Sequence, residues 1–343
     1  MAVESRGRVL QAAAAVVIVI AGLKAAATLV TPILLAALIA VVCVPPVRRL
    51  QALRVPDPLA VGIVFAVVTL LILLVSGIVG NSVRAFNAAL PSYRASLDAI
   101  VRDWLAPLVS TPLAAQANLA SSIDTGALLR LVGNTTAALV GLLSNMLVIL
   151  LIAALMLFEA STMPTKLRRA LGGPGVDLSR YEEMARMVYE YMSIKAVLSL
   201  VTGALASLLT WLAGVDFPLL WGLVAFLFNF VPNIGSIIAA VPAILLAFLQ
   251  YGVATGLVVA GGYGLINVAI GTVLEPRVMG RRLGLSTLVV FLSLIVWGWV
   301  LGPVGMLLSV PLTMAVKIVC ESREDLRIIA VLLGPASERG ADA

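Results

Sequence analysis

The residues able to do chemistry in this chain are few, and their types exclude more than they offer. Histidine is absent. That removes the Ser-His-Asp and Cys-His arrangements, histidine metal sites and a histidine proton relay together. Cys43 and Cys320 lie far apart, in or beside apolar segments, so neither a disulfide framework nor a metal-binding spacing follows. No G-x-x-x-x-G-K-[ST] loop occurs, which argues against ATP hydrolysis. No metal and no cofactor are expected.

Ionisable groups come next, because a charge at membrane depth is costly and usually functional. Lys24, Glu159, Lys195, Asp216, Glu275, Arg277 and Lys317 all sit near the ends of apolar runs. No run carries an acid at its centre, which weakens the picture of a proton carrier built on one buried carboxylate. Lys24, Lys195 and Lys317 read as side chains that snorkel to an interface. Asp216 and the Glu275-Pro276-Arg277 triplet are the candidates for gating or ion coupling. Proline ends a helix there, and the flanking acid and base can pair or exchange partners. The plainer reading is a capped helix end with topology charges, and both stand.

Neutral polar groups offer a different chemistry. Phe228-Asn229-Phe230-Val231-Pro232-Asn233-Ile234-Gly235-Ser236 interrupts an apolar segment. Pro232 frees a backbone carbonyl, Gly235 permits close approach, and Asn229, Asn233 and Ser236 supply uncharged donors and acceptors. Such a cradle suits a small polyol or a weakly hydrated ion better than a lipid tail. Alternatively, Pro and Gly only turn the chain and the asparagines satisfy its backbone. Asn267, Ser286 and Ser293 are weaker candidates, and Gly302-Pro303 is a second break of the same kind.

These groups must be held by apolar helices. Hydrophobic residues make up 62% of the 343-residue chain and charged residues 12%, with a mean hydropathy of +1.12. So little charge cannot cover a water-soluble domain of this size. The long unalternating runs exclude an outer-membrane barrel, leaving an all-α polytopic membrane protein. The net charge of +6 lies mostly in clusters beside apolar runs, as the loop-charge rule requires, and no nucleic-acid motif is present.

Residues 1–82 are expected to hold an N-terminal hairpin turning near Gly22–Lys24, retained rather than cleaved, and a third span over 59–82. Residues 83–134 read as amphipathic helices on the outer face. A fourth span falls in 135–160, and 161–195 is a charged cytoplasmic linker broken at Gly172-Gly173-Pro174-Gly175. Residues 196–320 form the core and 321–343 a tail. Within the core, 217–249 and 284–319 each divide into two short apolar halves around a full span at 253–274. The positive-inside rule puts both termini in the cytoplasm of a bacterial inner membrane. It also makes the two split segments hairpins entering from opposite faces, a transporter-like arrangement. Two ordinary hairpins of full spans remain the alternative.

Glu275-Pro276-Arg277-Val278-Met279-Gly280-Arg281-Arg282-Leu283-Gly284-Leu285-Ser286 resembles the signature of the autoinducer-2 exporter family. The likeness continues through Trp297-Gly298-Trp299, Gly302-Pro303-Val304-Gly305-Met306 and Val310-Pro311-Leu312-Thr313, and includes the Val231-Pro232-Asn233-Ile234-Gly235 block. Asn233 and Ser236 resemble the branch nearest the autoinducer-2 exporter. The resemblance implies about eight membrane segments, a homo-oligomer (a pentamer is the expected number) and transport of a small polar solute. Export of an autoinducer-2-like metabolite is the leading expectation. Asn229, Pro232, Asn233, Gly235, Ser236 and Asn267 would meet the solute, with Gly302 and Pro303 completing the site. A sodium or proton antiporter of the same family is the rival. A membrane scaffold binding partner proteins through its outer helices is a third reading, from another class.

Overall fold

The computed structural model describes residues 14, 17–109, 133–134, 141, 146–160, 166, 179–232, 234–279, 284–321 and 327–334. Asn233, the Gly172–Gly175 break, residues 110–132 of the expected outer segment, most of 135–145, Arg281, Arg282 and the tail beyond 334 lie outside them. Among the described residues there are helices and no strands.

Helix α1 (Ala27–Ala52) continues a helical stretch at residues 17–25 without reversing. The Ala26 amide donates to Gly22 O and the Val30 amide to Ala26 O, each at 2.9 Å. The hairpin expected at Gly22–Lys24 is therefore absent, and residue 17 and the basic turn after α1 lie at opposite ends of one helical run. One glycine cannot end a helix surrounded by lipid, where every freed backbone group needs a partner. The Lys24 ammonium is accommodated over the Trp299 ring, 3.6 Å from its centroid. Pro32, Pro45 and Pro46 also lie inside α1, a tolerance typical of packed membrane helices.

A tight turn with Arg54 in the left-handed region leads to α2 (Asp57–Val109), a single helix of 53 residues. At 1.5 Å per residue it extends roughly 80 Å, well past a hydrocarbon core about 30 Å thick. The expected span and the first part of the expected outer-face helices are thus one element. Val79, Phe86 and Tyr93 recur at heptad spacing and are buried in the main core cluster, so the far half of α2 stays helical by packing its stripe on other elements. Helix α3 (Met146–Ala160) sets Ile149 and Ala153 against Ala36 and Ala40 of α1, small residues that let the helices approach closely.

Helix α4 (Ser179–Leu212) is the centre of the second half. Against it lies a hairpin of α5 (Pro218–Phe228) and α6 (Gly235–Tyr251). Its base is tied by Tyr251 Oη donating to Gly214 O at 3.0 Å and by the Asp216 amide donating to Gln250 Oε1 at 3.1 Å. At its tip a Cβ on Gly235 would fall on the Phe228 carbonyl. Arms of 11 and 17 residues reach only about 16 and 25 Å, too short to cross.

Helix α7 (Val253–Asn267) runs into a π-helical segment, Val268–Leu274, and then α8 (Glu275–Met279). Helices α9 (Thr287–Leu307) and α10 (Ser309–Glu321) follow, then α11 (Arg327–Leu333). Helix α9 is long and apolar enough to span, but it does not run straight. Gly302, at φ 68 and ψ −151, breaks it, and Trp297 Nε1 then donates to Thr313 Oγ1 at 3.0 Å. Lys317 Nζ reaches back to Gly284 O at 2.6 Å. This is a second hairpin, its tip at Gly302-Pro303 and its base beside the end of α8. The first hairpin has its base beside the start of α7. The two bases therefore lie at opposite ends of the α7–α8 span, as two opposed hairpins require.

Among the described residues, Ala27–Ala52, Asp57–Ser96, Arg186–Leu212, Val253–Val278 and Thr287–Leu307 are long and apolar enough to cross a membrane, while Met146–Glu159, Pro218–Phe228 and Gly235–Tyr251 are shorter apolar helices.

The contact between α4 and α5 depends on two glycines. A Cβ on Gly203 would lie 2.7 Å from Gly222 O, and one on Gly222 would lie 2.7 Å from Gly203 O. Gly222→Val should therefore destabilise by about 1–3 kcal/mol. Gly261→Ala, with nothing within 4 Å, should not. Melting curves of the two variants in detergent check this; equal midpoints would refute the close-approach argument.

Candidate functional site: a polar cleft at the tip of the first hairpin

The tip of the first hairpin meets the middle of two crossing helices. Asn229 follows α5 directly, and its Nδ2 donates to Ser199 Oγ of α4 at 3.0 Å, both side chains buried. Ser199 lies near the midpoint of the Arg186–Leu212 span, and Asn267 near that of Val253–Val278. The hairpin tip consequently lies level with the middles of these two apolar helices.

A small cleft opens there, lined by Thr202, Ala225, Asn229, Ser236, Ala239, Tyr263, Ile266, Asn267, Ile270 and Gly271, with a cavity volume of about 10 Å³, room for about one water molecule. Among the described residues, no charged side chain lines it. Thr202 Oγ1 donates to Leu198 O at 2.9 Å, which leaves its lone pairs as acceptors. Tyr263 is buried, and its Oη has no hydrogen-bond partner. Leaving such a hydroxyl unpaired costs about 1–3 kcal/mol, so it marks a place where something polar can be received.

The π segment supplies one wall through Ile270 and Gly271. Its origin is local: the Pro276 ring has no amide hydrogen and crowds the carbonyl one turn upstream. The helix widens instead, and the Glu275 amide donates to Ile270 O, five residues back. Widened turns of this kind concentrate at functional sites.

The structure brings together Asn229, Ser236 and Asn267 of the sequence candidates. Gly235 closes the tip, and Pro232 lies in the connection without lining the cleft. Gly302 and Pro303 form the other hairpin's tip and do not line it either, so the single site expected from both breaks is not assembled. Ser286 Oγ caps α9 by accepting from the Val289 amide at 3.2 Å, and Ser293 Oγ donates to Val290 O at 2.8 Å.

Asp216 lies at the base of the hairpin, far from the cleft. Tyr93 Oη donates to its Oδ2 at 2.7 Å, Gln250 Nε2 donates to the same oxygen, and Trp221 Nε1 donates to its carbonyl at 2.9 Å. This network ties α2 to the hairpin.

Glu275 does not pair with its neighbour Arg277, which is exposed. Its Oε1 lies 2.6 Å from Lys195 Nζ, with the lysine side chain 4% and the glutamate 22% exposed. Lys195 does not snorkel. Removing either partner of a buried pair typically costs about 3–5 kcal/mol.

Thr202, Tyr263 and Ser199 were not singled out from the sequence, and Lys195 was read only as a snorkelling side chain. Lys195, Ser199 and Thr202 follow i, i+4, i+7 spacing, one polar stripe on an apolar helix, and that periodicity was the available signal. Tyr263 gave none.

The family model for the AI-2E family transporter matches residues 14–324. The chain belongs to the AI-2E transporter family. The AI-2 transport protein TqsA of Escherichia coli is 39% identical over 320 residues, 92% of each chain. A candidate transport protein of Haemophilus influenzae is 38% identical over 338 residues, covering 96% of this chain and 97% of its own. A second Escherichia coli chain, YhhT, also named as a candidate transport protein, is 37% identical over 327 residues, 94% of this chain and 93% of its own. This AI-2E family member is a multi-pass membrane protein of a transporter family.

Tyr263→Phe isolates the unpaired hydroxyl. If the hydroxyl faces a ligand rather than the fold, the variant should melt no lower than the parent in detergent, and up to about 1–3 kcal/mol higher. A lowered midpoint would assign the hydroxyl a structural partner.

Proposed function

We propose that this protein exports a small, uncharged, hydroxyl-rich metabolite of the autoinducer-2 kind across the bacterial inner membrane. The observation that carries this reading is the neutral polar cleft level with the middles of two apolar helices, formed where a broken helical hairpin meets α4 and α7. Asn229, Ser236, Asn267, Thr202 and Tyr263 offer amide and hydroxyl groups in an otherwise apolar wall. A polyol exchanges its water hydrogen bonds for these at little net cost, whereas an ion would enter without a countercharge. The name of the TqsA relative supports the same solute class. Asn233, between Pro232 and Ile234, belongs to the same tip and is assigned to solute binding with it.

The basic ends of the elements support the orientation. Arg48 of α1 lies 6.0 Å from the Tyr189 ring near the start of α4, and Arg277 and Lys317 stand at the base of the second hairpin. The positive-inside rule makes that end cytoplasmic, so the first hairpin enters from outside. A homo-oligomer belongs to this reading through the family resemblance; the large apolar side chains exposed on the single chain are those that lipid contact requires.

Cation/proton exchange has less support. The carboxylates it would use are engaged, Asp216 in the clamp and Glu275 with Lys195, and none lines the cleft.

Efflux of autoinducer-2 from proteoliposomes tests the reading. Ser236→Ala and Asn267→Ala should each lower efflux about tenfold, the loss expected for one or two hydrogen bonds at about 0.5–1.5 kcal/mol each, and Asn233→Ala should lower it as well. All three should insert normally. Parental efflux in the three variants would remove the site, and no efflux from the parent would remove the solute.

A further inference from the structure

The polar stripe of α4 does not end at the cleft. Thr202 lines it, Ser199 holds Asn229 at its edge, and Lys195 stands one turn further along the same face. On the neighbouring antiparallel element the order is matched. Asn267, Ile270 and Gly271 line the cleft, and Glu275 stands one turn beyond Gly271. The Lys195–Glu275 pair therefore joins the two walls directly beyond the floor of the cleft, on the side of Arg277 and the second hairpin's base. Neither residue lines the cleft itself.

We infer that the Lys195–Glu275 ion pair is the bar that closes this cleft toward the basic end of the molecule, and that the π segment between Asn267 and Glu275 is the hinge that releases it. This rests on the cleft being the solute site.

Two observations carry it beyond a structural ion pair. A lysine so deeply buried in an apolar span is costly unless a partner is held there, and its partner comes from a separate helix whose own proline displaces it. The π segment holds one residue more than α-helical geometry would over the same length. Tightening it would turn everything beyond it by about 100° relative to Asn267, the rotation of one residue. Glu275 would swing off Lys195 while Asn267 stayed in place. The cleft wall and the bar are thus on opposite sides of a segment with two available geometries.

The test uses the full chain in native membrane vesicles, with Cys43 and Cys320 replaced by alanine and Ser236→Cys as reporter. A membrane-impermeant methanethiosulfonate is applied in vesicles of each orientation. Glu275→Gln should raise the modification rate from the basic face about tenfold, the shift produced by losing one charge-assisted hydrogen bond. The rate from the opposite face should be unchanged. The exchange Lys195→Glu with Glu275→Lys should return the parental rate, and Pro276→Ala, which permits the α-helical geometry, should raise it. A parental rate in Glu275→Gln overturns the bar, as does failure of the charge exchange to restore closure in protein that remains monodisperse in detergent. A parental rate in Pro276→Ala overturns the hinge. Autoinducer-2 added as a protectant separates these from the site itself. Protection of the reporter with no effect of the pair variants sinks the bar alone. A reporter that is reached from neither face in any variant sinks the cleft as well.

Discussion

Backbone amides and carbonyls have no partner in hydrocarbon, and the rest of this structure follows from that constraint. A chain that breaks its helices at mid-membrane must cover the break with protein. The first hairpin does so by lying on α4, a seating that only Gly203 and Gly222 make close enough. At each tip one glycine lets the chain fold back on itself. Gly235 sits against the Phe228 carbonyl, and Gly305 against that of Trp297. The two hairpins are thus solutions to one problem, differing in how abruptly they turn. The second reverses at Gly302, while the first uses a polar connection between Phe228 and Gly235.

That polar connection gives the first hairpin its chemistry. Its tip is covered at depth by helices that carry hydroxyl and amide groups of their own, Ser199 and Thr202 on α4, Tyr263 and Asn267 on α7. Charge is kept out of this layer and placed at its margins. Asp216 is bound into the hairpin base with Tyr93, Gln250 and Trp221, where it fixes the long α2 against the core. Lys195 and Glu275 neutralise each other one turn past the cleft. A neutral layer between two charged ones is what the proposed uncharged cargo would require.

Much of this was legible before any coordinates. The helical membrane class follows from composition, the breaks at Pro232 and Gly302-Pro303 from residue type, and the family from the run beginning at Glu275. Other readings went astray for physical reasons. A turn at Gly22–Lys24 was expected from spacing and flanking charge, but a lone glycine does not end a helix in lipid, and Trp299 receives the lysine. The outer segment was read as surface helices because its composition changes. Its described first part, 83–109, instead continues the preceding span as α2, whose Val79–Phe86–Tyr93 stripe packs on the hairpin.

Sequence alone determined what kinds of groups this protein can use, because residue type decides solvation: lipid-facing helices, uncharged donors at the breaks, no histidine and no acid at the centre of a span. Tertiary structure alone decided which of them meet. Glu275 stands beside Arg277 in the chain yet bonds Lys195, eighty positions away, and Tyr263 becomes informative only once its hydroxyl is found buried and unpaired. Helical periodicity fixes which residues share a face of one helix. Which faces of different helices come together is set by packing, and no local pattern encodes it.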